Sequence, residues 1–140
     1  MHIAKIEIQV SYADTDMMGI IYHGNYIKWL EIGRQQLVED AGFDYLEMEK
    51  AGYVAPVYHL DITYKHAIRF GEKVFVHTWI EENQRSTTIY GFRVFNEKNE
   101  ICAEGTTTHL VVKKDSFRPI SFAKAFPSWF QKYEEMKKDK

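Results

Sequence analysis

The chain has 140 residues, 45% hydrophobic and 15% aromatic, with a formal charge of −2 and a pI near 6.3. That length fits one domain spanning 1–140, the apolar content sustains a packed core, and the charge balance excludes a phosphate-backbone binder, which needs a basic face. The lysines of the C-terminal end, Lys137, Lys138 and Lys140, are interrupted by Asp139 and follow Glu134 and Glu135, the pattern of a solvated helix end.

The N-terminal residues alternate instead of forming an apolar leader: Ile6, Ile8 and Val10 are separated by Glu7 and Gln9, which predicts a half-buried strand. With no signal peptide and no run apolar enough to span a bilayer, the expected location is the cytoplasm, with no membrane insertion. A polar loop follows from about Ser11 to Gly24. Asn25 then stands where a cap is wanted for a helix to about Ala41, with Gly42 at its left-handed end. Ile27, Leu30, Leu37, Val38 and Ala41 give that helix one apolar stripe. Gly33 in its middle costs about 1 kcal/mol of propensity relative to alanine, a cost that close approach to a sheet would offset.

Asp44 to Lys50 suits a second short helix, closed by Gly52. Strand patterns then dominate. Val57 to Tyr64 alternates, with Tyr58, Leu60, Ile62 and Tyr64 on one face; Val74 to Ile80 follows the Phe70-Gly71-Glu72 turn. Thr87 to Phe95 and Ile101 to Val112 flank Asn96-Glu97-Lys98-Asn99, a hairpin turn. Ser128 to Met136 reads as a terminal helix. The order is one strand, one long helix and about four strands in an antiparallel meander. Such a sheet needs its apolar face covered, and a single helix leaves part of it bare, which implies oligomerisation.

Cys102 is the only cysteine, so there is no intrachain disulfide and no cysteine metal motif; its strand setting makes it an inert buried thiol. His59, His66, His77 and His109 fall in or beside strands at no metal-ligand spacing.

The chemistry is concentrated between Tyr12 and Tyr26. Asp14, Asp16 and His23 lie within twelve residues, just before a helix N-terminus, among glycines that let backbone approach a ligand. A carboxylate can attack a carbonyl or deprotonate water, and the free amides at a helix start can hold an oxyanion. A plainer reading makes both aspartates turn residues bonding their own backbone. An EF-hand fails, because Met18 replaces an oxygen ligand and Asn25 stands where a bidentate glutamate belongs. A divalent metal on Asp14, Asp16 and His23 is a further reading, without support from a second histidine cluster.

The run Asp-Thr-Asp, Met-Met-Gly, Tyr-His-Gly-Asn-Tyr, followed by Glu31 and Arg34, resembles the YbgC-type and 4-hydroxybenzoyl-CoA thioesterases. The resemblance extends over most of the chain, including Phe70-Gly71-Glu72 and Arg118-Pro119. It implies an α+β hotdog fold, a curved antiparallel sheet of about five strands around one long central helix. It also implies homodimers or dimers of dimers with the site at the dimer interface. By this resemblance Asp16 is the catalytic carboxylate, His23 the histidine of the YbgC branch, and the oxyanion amide belongs to His23 or Gly24. Tyr12, Gly19 and Asn25 are supporting residues, and no cofactor or metal is expected.

The substrate so implied is an acyl-CoA, or the same thioester on acyl carrier protein. Asp16 as nucleophile and Asp16 as general base both remain open. For the coenzyme A phosphates the basic candidates are Arg85, Lys113, Lys114 and Arg118. Asp14 reads as a loop-shaping residue, and Glu31 as the i,i+3 partner of Arg34 rather than a rival catalytic acid. Tyr22, Tyr26, Tyr58 and Tyr64 are candidate acyl-pocket residues. Two other functions stay open: a hotdog acyl-thioester dehydratase and a non-catalytic acyl-CoA-binding module.

Overall fold

The computed structural model describes residues 1–139. Strand β1 (Ala4–Gln9) leads through two 3-10 turns (Tyr12–Asp14 and His23–Asn25) into helix α1 (Tyr26–Asp40). Helix α2 (Tyr45–Lys50) and strands β2 (Tyr53–Val54), β3 (Val57–Tyr64), β4 (Lys73–Asn83), β5 (Thr87–Phe95), β6 (Ile101–Leu110) and β7 (Val112–Lys113) follow. Helices α3 (Phe122–Ala125) and α4 (Pro127–Met136) end the chain. Five strands form one antiparallel sheet in the order β1-β4-β5-β6-β3, and β2 pairs with β7 in a small ribbon. This is the α+β hotdog architecture.

The predicted elements appear near their expected bounds, but the meander does not run through all four strands. Only β4, β5 and β6 are consecutive neighbours; β3 pairs with β6 at the far edge, with Leu60 opposite Thr107. The connection 65–72 crosses the end of the sheet, tied by the Lys65 N–H to the Cys102 carbonyl at 2.7 Å and by the fully buried Ile68. Neighbouring strands in sequence usually pair, but alternation dictates only which side chains face the core. The expected strand Ile101–Val112 also breaks at Val111, where β7 leaves the sheet for β2. In β3 a register shift between Val57 and His59 takes Tyr58 off the face shared by Leu60, Ile62 and Tyr64.

Helix α1 packs chiefly on β1 and β4. Its buried stripe is Tyr26, Trp29, Leu30, Gly33, Leu37 and Val38; Ile27, expected in the stripe, is 43% exposed. At 100° per residue, the line through positions 26, 30, 33 and 37 turns residue 27 away from the sheet. Gly33 meets the sheet as expected: a Cβ there would lie 2.5 Å from Thr78 Oγ1 and 2.8 Å from Val76 Cγ1. Asn25 holds the capping position without capping. Its backbone is already helical and its side-chain amide donates to the Asp14 carbonyl at 2.8 Å, because the 3-10 turn delivers the chain into α1.

At the other end of α1, Phe43, Phe122, Trp129 and Tyr133 join one aromatic cluster that closes the core. The uncovered part of the concave face belongs to β3, where Leu60 and Ile62 are half-buried and Tyr64 is 44% exposed. No helix among the described residues is long and apolar enough to cross a membrane.

Candidate active site

The loop between β1 and α1 is organised around Asp14. Ser11 caps the first 3-10 turn, and its N–H donates to Asp14 Oδ2 at 3.0 Å. Lys28, on α1, donates to Asp14 Oδ1 at 2.6 Å, and the Asp14 carbonyl accepts from the Tyr22 N–H at 3.0 Å. With only 3% of its surface exposed, Asp14 is the anchor of the loop, the role its sequence context suggested.

Asp16 lies two residues further, in a different environment. Its carbonyl accepts from the Gly19 N–H at 3.0 Å, closing a turn in which Gly19 has φ +78°. Its Oδ1 accepts from the Met18 N–H at 2.8 Å, as the turn reading requires. Its Oδ2 has no such bond among the described residues. Asp14 and Asp16 thus point to different tasks, and no three His, Cys, Asp or Glu side chains among the described residues gather as a metal site.

His23 opens the second 3-10 turn. Within that turn the Asn25 N–H bonds the Tyr22 carbonyl and the Tyr26 N–H bonds the His23 carbonyl, which leaves the amides of His23 and Gly24 without a carbonyl inside it. Asp16 and His23 line one cleft of about 310 Å³, together with Met18, Ile20, Tyr26 and Tyr64. The Tyr64 hydroxyl donates to the His23 carbonyl at 3.0 Å, tying the turn to the end of β3. Sequence reasoning placed Tyr26 and Tyr64 as pocket candidates; it had no means to foresee that hydrogen bond, which spans 41 residues. Tyr22 is half-exposed and packs on the His23 ring, while Tyr12 packs edge-on against Phe70 outside the cleft. Tyr58 stands exposed on the sheet edge, away from the cleft.

The four basic candidates for coenzyme A do not line this cleft within the chain. Arg85 lies in the β4–β5 hairpin, Lys113 on β7, Lys114 is paired with Glu49 at 2.7 Å, and Arg118 follows β7. The basic side chains at the cleft are instead Lys65 and the imidazole of His66, brought there by the crossover after β3, with Lys65 held to Glu104 at 2.8 Å. The order of strands, absent from the local pattern, decided this.

A second polar cluster lies in the middle of α1. Arg34 donates to Glu31 at 2.6 Å, the expected i,i+3 pair, and to Nδ1 of the buried His109 at 2.8 Å. His109 Nδ1 also lies 3.1 Å from the Ala55 carbonyl, and Nε2 lies 3.3 Å from Thr107 Oγ1. Burial, and then the Arg34 charge, push the His109 pKa from 6.5 down to about 4, against smaller opposing pulls from the Ala55 carbonyl and Glu31. The imidazole is therefore neutral in the folded chain, whereas the unfolded chain protonates it near 6.5. Stability is expected to be level above that pH and to fall between about 6.5 and 4 by on the order of 3 kcal/mol, a loss that His109→Gln should flatten in urea unfolding across pH. Cys102 matches its expected inert role, with burial pushing its thiol up to about 11.

The single curved sheet on one helix, with a carboxylate and free amides at the helix start, defines a hotdog protein of the thioesterase class. The model of the Thioesterase-like superfamily matches residues 10–132, and the chain belongs to that superfamily. A Bacillus subtilis protein named "Putative acyl-CoA thioesterase YneP" is 48% identical over 138 residues, covering 99% of this chain and all of that one. The Escherichia coli protein "Acyl-CoA thioester hydrolase YbgC" is 22% identical over 89% of this chain and 92% of its own. Among solved structures, a DHNA-CoA thioesterase from Staphylococcus aureus superposes with a TM-score of 0.94 and 41% identity, covering 96% of this chain and 91% of that one.

Proposed function

We propose that the chain hydrolyses acyl-CoA thioesters to the free acid and coenzyme A, with Asp16 as the reacting carboxylate. The observation that carries this reading is the shared cleft: Asp16 and His23 face one space at the turn where two backbone amides have no backbone partner among the described residues. The names of the related proteins support the substrate class.

In this mechanism the thioester oxygen accepts from the His23 and Gly24 amides as negative charge develops on it; one such donor is worth about 3 kcal/mol of transition-state stabilisation. Asp16 Oδ2, the oxygen not tied to Met18, then acts in one of two ways. As nucleophile it forms a C–O bond to the acyl carbon while the C–S bond breaks, and water hydrolyses the resulting anhydride. As general base it takes a proton from the water that attacks, and the thiolate leaves. The His23 ring orients the acyl group or passes a proton to the thiolate. In single-turnover hydrolysis in oxygen-18 water, label in the Asp16 carboxylate marks the anhydride route with water attacking the Asp16 carbonyl carbon, because the general-base route puts label only in the released acid.

Assembly follows from the bare edge of β3. Pairing of two such edges, antiparallel across a two-fold axis, gives a homodimer with a continuous sheet, and a dimer of dimers is a further step of the same kind. Sizing at micromolar concentration should give at least a dimer; a monomer there counts against this assembly.

The direct test is a panel of acyl-CoAs with a thiol-reactive dye. Thiol release is the expected result. Enoyl product without thiol would mark a dehydratase instead, and binding without turnover a non-catalytic module.

A further inference from the structure

The peptide that joins His23 to Gly24 is the loosest part of the turn before α1. It carries the Gly24 N–H, and glycine, lacking a Cβ, lets a peptide plane rotate at little cost. A larger residue is disfavoured, because a Cβ at position 24 would lie 2.8 Å from the Tyr22 ring, which itself packs on the His23 ring. Backbone amides stabilise an oxyanion only when their direction is set before the charge develops. A contact from outside the turn supplies that direction.

The His23 carbonyl, the other half of this peptide, accepts twice: from the Tyr26 N–H within the turn and from the Tyr64 hydroxyl at 3.0 Å. That hydroxyl comes from a rigid place. Tyr64 is the last residue of β3, in register opposite Ala103, and the next N–H, of Lys65, bonds the Cys102 carbonyl at 2.7 Å. Its ring stands edge-on to the rings of His23 and Tyr26, with centroids 6.2 and 5.0 Å away. Partial burial raises its pKa above the usual 10, so the hydroxyl keeps the proton it donates. A trans peptide holds its C=O and N–H in one plane and opposed, so fixing the oxygen fixes the hydrogen. Donation into the carbonyl also draws charge from the nitrogen and strengthens its N–H as a donor, by about 10–30% per bond.

We infer that Tyr64 is a positioning residue for thioester hydrolysis: through the His23 carbonyl it orients and polarises the His23–Gly24 peptide, and so readies the Gly24 N–H for the thioester oxygen. Tyr64 touches no reacting atom. The inference rests on the proposed thioesterase reading and gives its oxyanion turn a control that comes from the far edge of the sheet.

Tyr64→Phe tests it, because the ring stays and only the hydroxyl goes. With octanoyl-CoA as probe and thiol release as the readout, kcat should fall about tenfold, less than the hundredfold or more that follows loss of a whole oxyanion donor, while KM stays within about twofold. A ring that only packed would leave kcat alone, and one that bound the acyl group would move KM. The second readout needs no substrate. In protein labelled with nitrogen-15 glycine, each of the eight glycines gives an amide resonance, and the substitution should move that of Gly24 to higher field in the proton dimension while Gly33 and Gly91 stay in place. An unmoved Gly24 resonance would overturn the inference, as would a kcat within threefold of wild type. So would a fall in kcat accompanied by movement of Gly33 and Gly91, the mark of a general loss of packing. A wild-type chain that releases no thiol from any acyl-CoA sinks the thioesterase reading and this inference with it, a failure told apart from the others by the inactive wild type.

Discussion

Asp16→Asn is expected to lower kcat for acyl-CoA hydrolysis by about a thousandfold, the scale of a positioned acid–base or nucleophilic group. The substitution separates the two roles open to Asp16. Asparagine keeps a carbonyl oxygen in place of Oδ1 and can still accept from the Met18 N–H, so the turn closed by Gly19 persists. What disappears is the charge and the basicity of the other oxygen. A residue that only shaped the turn would leave turnover near normal, and a kcat within tenfold of wild type would remove Asp16 from the mechanism. Asp14→Asn supplies the contrast. It weakens the contact with Lys28 that holds a buried carboxylate, so its effect should fall first on the urea midpoint and only through that on the rate.

Gly105→Ala should produce the largest loss of stability of any single methyl group added to this chain. A Cβ at position 105 would lie 1.9 Å from the Asp61 carbonyl oxygen and 2.8 Å from its carbon. Both atoms belong to the backbone of β3, so relief requires the two strands to part. The expected cost is about 3 kcal/mol, near the upper end for overpacking, read as a lower urea midpoint with an unchanged slope. Gly33→Ala is the milder comparison, because its Cβ would meet the side chains of Thr78 and Val76, which have some freedom to turn. A Gly105→Ala chain as stable as wild type would mean that β3 and β6 are more loosely joined than their register indicates. Since β3 carries Tyr64 to the His23 carbonyl, the substitution should also lower kcat in whatever fraction stays folded.

Much of this molecule is legible from local pattern. The period of two in β1, β4 and β5 and the glycine within α1 each reflect forces between residues close in sequence, or between one residue and a generic apolar surface. The same holds for the loop-shaping role of Asp14 and the ion pair of Glu31 with Arg34. An aspartate closing a 3-10 turn and a carboxylate three residues from an arginine find their partners within a turn. The exposed Ile27 and the uncapped Asn25 are failures of the same method. Both depend on how the 3-10 turn at His23 sets the phase of α1, a shift of about one residue that composition does not specify.

By itself the sequence determined, through local pattern, most of the strands and the long helix and the short-range bonds that shape the loop before that helix, while the hotdog class came from its resemblance to a family. The local features depend on contacts between near neighbours, whose geometry residue type nearly dictates. Only the tertiary structure decided that β3 lies beside β6, that Tyr64 and Lys65 rather than Lys113 or Arg118 reach the cleft, and that His109 is neutral against Arg34. Each of these joins residues far apart in the chain, 41 positions between Tyr64 and His23 and 75 between Arg34 and His109, through burial and strand order. No local preference encodes such partners, because many sheet orders would bury the same apolar faces equally well.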